Sequence, residues 1–319
     1  MLDRFTGCLL GLAAGDALGM PTEGYTAEEI KSGFGTVRDM MPAQKGHFHS
    51  GLLAGQFTDD TQETLILVES LIESCGFSGD DFAERLMNWG SAWTLDPQLN
   101  RGVGFTTRSS IEQMLSGIPW QESGLCIPTC GSAMRAAPIG LLYHCDLSLV
   151  GRYAELQSIS THSSPAARAG SIAVAAGVAL CLIGFSKTST LQMAAHLSSQ
   201  TGSEFSDRLL WVGSLMELDP ADALIAIGNA PDVSKTVPAA FYCFLKFEPE
   251  EAIVFAANCG GDTDSIACIA GALSGAFYGS SWIPQRWLHC LENRQHIAEI
   301  AKQLASLSAS LCKSSQHHF

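Results

Sequence analysis

The stretch Asp3-Arg4-Phe5-Thr6-Gly7-Cys8-Leu9-Leu10-Gly11-Leu12-Ala13-Ala14-Gly15-Asp16-Ala17-Leu18-Gly19 decides the fold. It reads as a helix from Asp3 to Leu18, with Gly7, Gly11, Gly15 and Gly19 at every fourth position. At 3.6 residues per turn this spacing draws a slowly drifting stripe without side chains. Glycine costs a helix roughly 1 kcal/mol relative to alanine. A stripe of them therefore implies that another backbone or a ligand presses against it. Gly271, Gly275 and Gly279 repeat the pattern near the other end of the chain, and Gly170 and Gly177 mark a third helix of small residues.

Further helices are read from apolar spacing. They run from Thr61 to Cys75, Asp80 to Trp93, Thr106 to Leu115, Leu191 to Leu197, Asp207 to Leu218, Pro220 to Ile227, Pro238 to Phe247, Glu250 to Asn258, Thr263 to Tyr278 and Gln285 to Leu307. Alternating strands are hard to find. The expectation is an all-α, compact, multi-helix fold in one domain over 1–310, followed by a flexible polar tail at 311–319. The longest irregular stretches, Pro21 to Thr58 and Asp96 to Phe105, are rich in glycine and polar residues and read as loops over a pocket.

Composition narrows the class. Of 319 residues, 46% are hydrophobic and only 16% charged, and the net charge is −14. Such a surface disfavours strong non-specific binding to nucleic acid or to anionic lipid. The eleven cysteines are odd in number and lack paired zinc spacing, which fits a reducing cytoplasm better than a disulfide scaffold. The run from Ala166 to Phe185 approaches membrane-spanning length, but its Arg168 and many small residues suit a buried helix. The first residues have a faint leader-like look, yet Asp3 and Asp16 interrupt the pattern and no cleavage site follows. No membrane association and a monomeric state are expected.

Two carboxylate clusters carry the chemistry: Phe57-Thr58-Asp59-Asp60-Thr61 and Gly260-Gly261-Asp262-Thr263-Asp264-Ser265. Asp, Thr and Ser are favoured helix caps, and acids in a first turn complement the helix dipole. Capping explains one or two polar residues, not Asp-Asp in one place and Asp-x-Asp-Ser in another. Carboxylates, hydroxyls and water are what hard cations such as Mg²⁺ bind, and neither cluster contains Cys or His. Brought together, they suit a pair of metals. No pair of Glu-x-x-His motifs is present, so a di-iron carboxylate site is disfavoured.

Other candidates are single residues. Asp16, inside an apolar helix, needs a partner, and a hydrogen bond to a nearby helix start is the expected one. Glu23 follows that helix in a loop bounded by Pro21 and Gly24, where a carboxylate can move. His162 lies just before a helix in Thr161-His162-Ser163-Ser164-Pro165. Gly131 and Ser132 open a segment that can offer backbone N–H groups to a phosphate, and Gly102 sits in a Gly-x-Gly that can approach one.

Taken together the motifs GCLLGLAAGDALGMPTE, FTDDTQ, GSAMRAAPIG, THSSP and GGDTDSIACIAGALSGAFYG resemble those of ADP-ribosylglycohydrolases of the dinitrogenase-reductase-activating type, in the same order, across residues 7–279. The resemblance implies a binuclear Mg²⁺ or Mn²⁺ centre with Thr58, Asp59, Asp60, Asp262, Asp264 and Ser265 as ligands. It implies that Glu23 is a mobile glutamate beside the metals, and that Gly102, Gly131, Ser132 and His162 line a cleft for ADP-ribose. Catalysis would rest on Glu23, Asp60, Asp262 and Asp264. The implied substrate is ADP-ribose linked to a protein or a small molecule, and the implied reaction is cleavage at the anomeric ribose carbon. This chain has Ser265 where many members carry Thr, Cys130 where Asn is common, and Gly102 where arginine-specific bacterial members carry a carboxylate. An inactive ADP-ribose-binding protein and a di-metal phosphoesterase that cleaves the pyrophosphate are the competing readings.

Overall fold

The glycine stripe is filled by another backbone. In the computed structural model, which describes residues 1–316, the helices are α1 (Leu2–Gly19), α2 (Ala27–Phe34), α3 (Asp59–Glu73), α4 (Gly79–Leu95), α5 (Phe105–Leu115), α6 (Gly131–Met134), α7 (Ala137–Tyr143), α8 (Leu147–Ile159) and α9 (Pro165–Leu182). They continue with α10 (Lys187–Ser198), α11 (Ser203–Trp211), α12 (Pro220–Ile227), α13 (Val233–Lys246), α14 (Pro249–Ala257), α15 (Thr263–Tyr278), α16 (Gln285–Cys290) and α17 (Arg294–Gln316). The fold is all-α, with only isolated bridges, Leu125 to His162 and Thr129 to Asp232, among the described residues.

Helices α1 and α15 run antiparallel in main-chain contact. A Cβ on Gly15 would lie 2.1 Å from the Ala267 carbonyl oxygen, and one on Gly275 would lie 1.9 Å from that of Gly7. Gly11 meets Gly271 and Gly19 meets Thr263 and Asp264 in the same way. The register brings the end of α1 to the start of α15, so the loop carrying Glu23 follows directly beside Asp264. Helix α9 is the central apolar element. It is long and apolar enough to span a membrane by composition, but it is buried over most of its length. It packs on α7, α8, α10 and α15.

Several boundaries differ from the sequence reading. Helices α2, α7 and α8 were not expected. Residues Gln285 to Leu307 form two helices instead of one, because the chain turns at Asn293, whose φ is +54°. Helix α13 begins at Val233, where Asp232 caps it by accepting from the Ser234 N–H, so Pro238 lies inside it. The tail expected from 311 is still helical to Gln316, and residues 317–319 lie outside the described ones. Two observations account for its order: Cys312 is disulfide-bonded to Cys145, and the Ser308 hydroxyl donates to the Leu142 carbonyl. The pairing departs from the expectation of unpaired thiols, while the remaining cysteines are free.

Candidate active site

The first carboxylate cluster is held by Asp16. This buried side chain accepts hydrogen bonds from the Thr58 and Thr61 N–H groups, at 2.9 and 3.0 Å, and from both threonine hydroxyls, at 2.9 and 2.5 Å. It thus makes the bond to a helix start expected of it and fixes the first turn of α3 against α1. The Thr58 hydroxyl also accepts from the Asp60 N–H. Asp59 and Asp60 then project from that turn, 7% and 2% exposed.

The second cluster depends on two glycines. Gly260 and Gly261 have φ of +77° and +71°, a conformation that L side chains resist. A Cβ on Gly261 would also lie 2.1 Å from the Asn229 carbonyl oxygen. The turn delivers Asp262 and Asp264 to the start of α15. Asp262 accepts from the Thr236 hydroxyl at 2.5 Å and from the Cys130 thiol at 3.2 Å. Asp264 accepts from the Ser265 N–H at 2.9 Å.

Glu23 is bonded through its carbonyl and its carboxylate, and its neighbour Gly24 through its N–H. The Gly24 N–H donates to the Gly261 carbonyl at 2.8 Å, the His47 ring bonds the Glu23 carbonyl at 2.7 Å, and the Glu23 carboxylate lies 2.5 Å from His49 Nε2. His49 belongs to the long irregular stretch read as a loop over a pocket.

These pieces enclose a cavity of about 380 Å³ bordered by Glu23, Asp59, Asp60, Asp262, Asp264 and Ser265, with Gly102, Gly131 and His162 also in its wall. Two sequence candidates are not among the lining residues. Thr58 is fully buried against Asp16. The Ser132 hydroxyl accepts from Ser158 and Ser171, at 2.8 and 2.9 Å, inside the helix packing. Gly102 is reached through the Asp59 N–H, which donates to the Arg101 carbonyl at 3.0 Å. Segment Gly131–Met134 is a single helical turn.

The electrostatics are one-sided. No Lys or Arg is among the lining residues. Burial pushes Asp60 well above the usual carboxylate range, and the Asp264 charge adds to it. Burial and then Glu23 do the same to Asp264, and burial and then Glu63 to Asp59. Burial also pushes Glu23 well above that range, opposed in part by its hydrogen bond with Asp264. Asp60 Oδ1 is buried and has no hydrogen-bond partner. A buried anion without donors is costly. A cation removes that cost, and the donors present, carboxylates and hydroxyls, are those of a hard divalent metal. The residues therefore fit the metal pair that the resemblance implies.

His162 is fixed rather than free. Its Nδ1 lies 2.8 Å from the Thr161 hydroxyl and its Nε2 3.0 Å from that of Thr129. Burial, with a smaller contribution from Arg135, lowers its pKa to about 3. Arg135 is itself wholly buried. It pairs with Glu63 of α3 and donates to Thr161 Oγ1 at 2.8 Å, linking the first cluster to the His162 segment.

Sequence reasoning did not find His49 or Thr236. A histidine in an irregular stretch gives no signal of its partner, and Thr236 sits one turn into a helix that was read as starting later.

The family model for ADP-ribosylglycohydrolase matches residues 1–313. An uncharacterized protein of Archaeoglobus fulgidus is 37% identical, with 98% of this chain and 99% of the relative covered. ADP-ribosylhydrolase ARH3 of Bos taurus is 29% identical over 95% of this chain and 92% of its own length. ADP-ribosylarginine hydrolase Tri1 of Pseudomonas putida is 31% identical over 95% of this chain and 78% of its own length. A solved ADP-ribosylglycohydrolase-related protein complex superposes with a TM-score of 0.72 at 29% identity, covering 96% of this chain and 98% of that one. With its glycine-packed helix pair, its two converging carboxylate clusters and this match along nearly its whole length, the chain belongs to the ADP-ribosylglycohydrolase family.

Proposed function

We propose that this protein is a metal-dependent ADP-ribosylhydrolase that cleaves the glycosidic bond at the anomeric ribose carbon and releases ADP-ribose. The observation that carries the reading is the cavity itself: five carboxylates border about 380 Å³ with no Lys or Arg among the lining residues. That the ARH3 and Tri1 relatives are an ADP-ribosylhydrolase and an ADP-ribosylarginine hydrolase supports the substrate class.

Thr58, Asp59, Asp60, Asp262, Asp264 and Ser265 would hold two Mg²⁺ or Mn²⁺ ions. When bound, such ions neutralise the buried charge, grip a vicinal diol and make water more acidic. The remaining work belongs to the chain. Glu23 hands a proton to the departing group or positions a water. Its raised pKa favours the protonated form that an acid needs. Asp262 or Asp264 orients the attacking water. His162, neutral and bonded through both ring nitrogens, shapes the wall and moves no proton.

The test is a panel of conjugates carrying ADP-ribose on arginine, on serine, as an O-acetyl ester and on a nucleobase, each with and without Mg²⁺, with products identified by mass spectrometry. Release of intact ADP-ribose from at least one, only with metal, is expected. AMP and ribose phosphate as products, or no release from any conjugate, would overturn the reading.

A further inference from the structure

The two carboxylate clusters contain only oxygen donors, but the fold brings an imidazole to their edge. His49 Nε2 lies 2.5 Å from Glu23 Oε2 and 4.0 Å from Asp264 Oδ2. One ligand atom from each of the three residues falls within 4.8 Å of the others. The His49 side chain is 1% exposed and its ring has little room to turn. It packs at 4.4 Å from the Phe48 ring, and its Cε1 lies 2.5 Å from where a Cβ on residue 102 would sit, so only glycine there leaves it in place. The ring nitrogen is therefore held toward two carboxylates by packing.

We propose that His49 lets Glu23 and Asp264, at the edge of the carboxylate cluster, take a borderline, imidazole-seeking divalent cation, Zn²⁺ foremost, which competes with Mg²⁺ for Asp264 and takes Glu23 out of use.

Three protein ligands of mixed nitrogen and oxygen, with a fourth position open, make a common zinc arrangement. Zinc bonds of about 2.0–2.2 Å set the spacing between neighbouring tetrahedral ligands at roughly 3.3 Å. The two contacts of His49, at 2.5 and 4.0 Å, lie on either side of that value. Less than an ångström of adjustment in each direction brings both His49 contacts to that spacing. Mg²⁺ gains little from imidazole, whereas Zn²⁺ gains much, so the site separates the two ions by chemistry. The exposed quarter of Glu23 gives a path from solvent. The inhibitory consequence rests on the proposed hydrolase reading; the binding itself does not.

The test is calorimetric titration of Zn²⁺ into the full chain saturated with Mg²⁺, for the parent, His49→Gln and Cys130→Ser. The parent should bind one Zn²⁺, His49→Gln at least about tenfold more weakly, equivalent to ~1.4 kcal/mol, and Cys130→Ser like the parent. Unchanged Zn²⁺ affinity in His49→Gln overturns the proposal, as does its loss in Cys130→Ser, which would assign the ion to the thiol beside Asp262. Should His49→Gln fail to fold, the imidazole resonances of the parent decide: one equivalent of Zn²⁺ should shift those of one buried histidine, and no buried histidine responding overturns the site. Zinc bound at His49 in a protein that releases no ADP-ribose would instead refute only the hydrolase reading.

Discussion

Replacing Gly15 by Ala puts one methyl group between α1 and α15 where the structure leaves no room. The new Cβ would lie 2.1 Å from the Ala267 carbonyl oxygen and 2.5 Å from its carbon. Optimal separations between such atoms are about 3.5–4.0 Å, so the helices must part by roughly 1 Å or more. The obstructing atoms are main chain and cannot rotate aside. Overpacking of this kind typically costs about 1–3 kcal/mol, and an obstruction made of backbone belongs near the upper end. Alanine returns up to about 1 kcal/mol through helix propensity. The expected net effect is a loss of roughly 2 kcal/mol. Gly33→Ala supplies the opposite sign. That glycine is exposed within α2, and no atom lies within 4 Å of its Cβ position, so the propensity gain of up to about 1 kcal/mol stands alone. Both variants and the parent are compared by urea denaturation with chelator present, so that bound metal contributes nothing. A Gly15→Ala protein as stable as the parent, or a destabilised Gly33→Ala, would refute the claim that the stripe exists for backbone contact.

Chelation should abolish ADP-ribose release, and Mg²⁺ or Mn²⁺ should restore it; full activity after metal removal confirmed by elemental analysis would count against the metal centre. Asp60→Ala should lose Mg²⁺ binding by calorimetry yet be no less stable than the parent in chelator, since it removes a buried carboxylate that faces Asp264 and has an unpartnered oxygen. Glu23→Gln should bind ADP-ribose within roughly threefold of the parent and turn over at least about a hundredfold more slowly, measured at saturating Mg²⁺. His162 has a folded pKa of about 3 against an ordinary 6.5, so the unfolded chain binds the proton first. Its contribution is whole above pH 6.5 and is lost as pH falls toward 3. Between pH 7 and 5 this single group should account for about 2 kcal/mol of lost stability. His162→Gln, compared with the parent across that interval in urea titrations, should show a slope smaller by that amount; equal slopes would mean that the ring is not held neutral.

What the sequence disclosed, and what it hid, follows from the range of each interaction. A contact made by absent side chains leaves its period in one helix, so Gly7, Gly11, Gly15 and Gly19 were readable without knowing that Gly271 and Gly275 lie opposite. Eight acidic and hydroxyl positions in two short clusters were readable because helix capping uses only one or two. The fold then does something no local pattern records. The antiparallel register of α1 and α15 sets Glu23 beside Asp264, and a left-handed turn at Gly102, φ +94°, leaves space for His49 to reach both. His49 was hidden because its partners are distant in sequence and its own neighbourhood is irregular. The Cys145–Cys312 pair was hidden for the same reason, since spacing does not reveal connectivity. Ser132 misled because a hydroxyl at a helix start has the same signature whether it faces a ligand or, as here, two other serines. One geometric quantity thus governs both halves of the molecule: the distance between α1 and α15. Widening it should loosen the core and, because the end of α1 and the start of α15 meet at one cavity, draw Glu23 away from Asp264. A Gly15→Ala protein that folds should therefore bind Mg²⁺ more weakly as well as unfold more easily. Calorimetry that found parent-like Mg²⁺ affinity in a destabilised Gly15→Ala would show that the cavity is held by the Asp16 and Gly261 hydrogen bonds alone, independently of the helix pair.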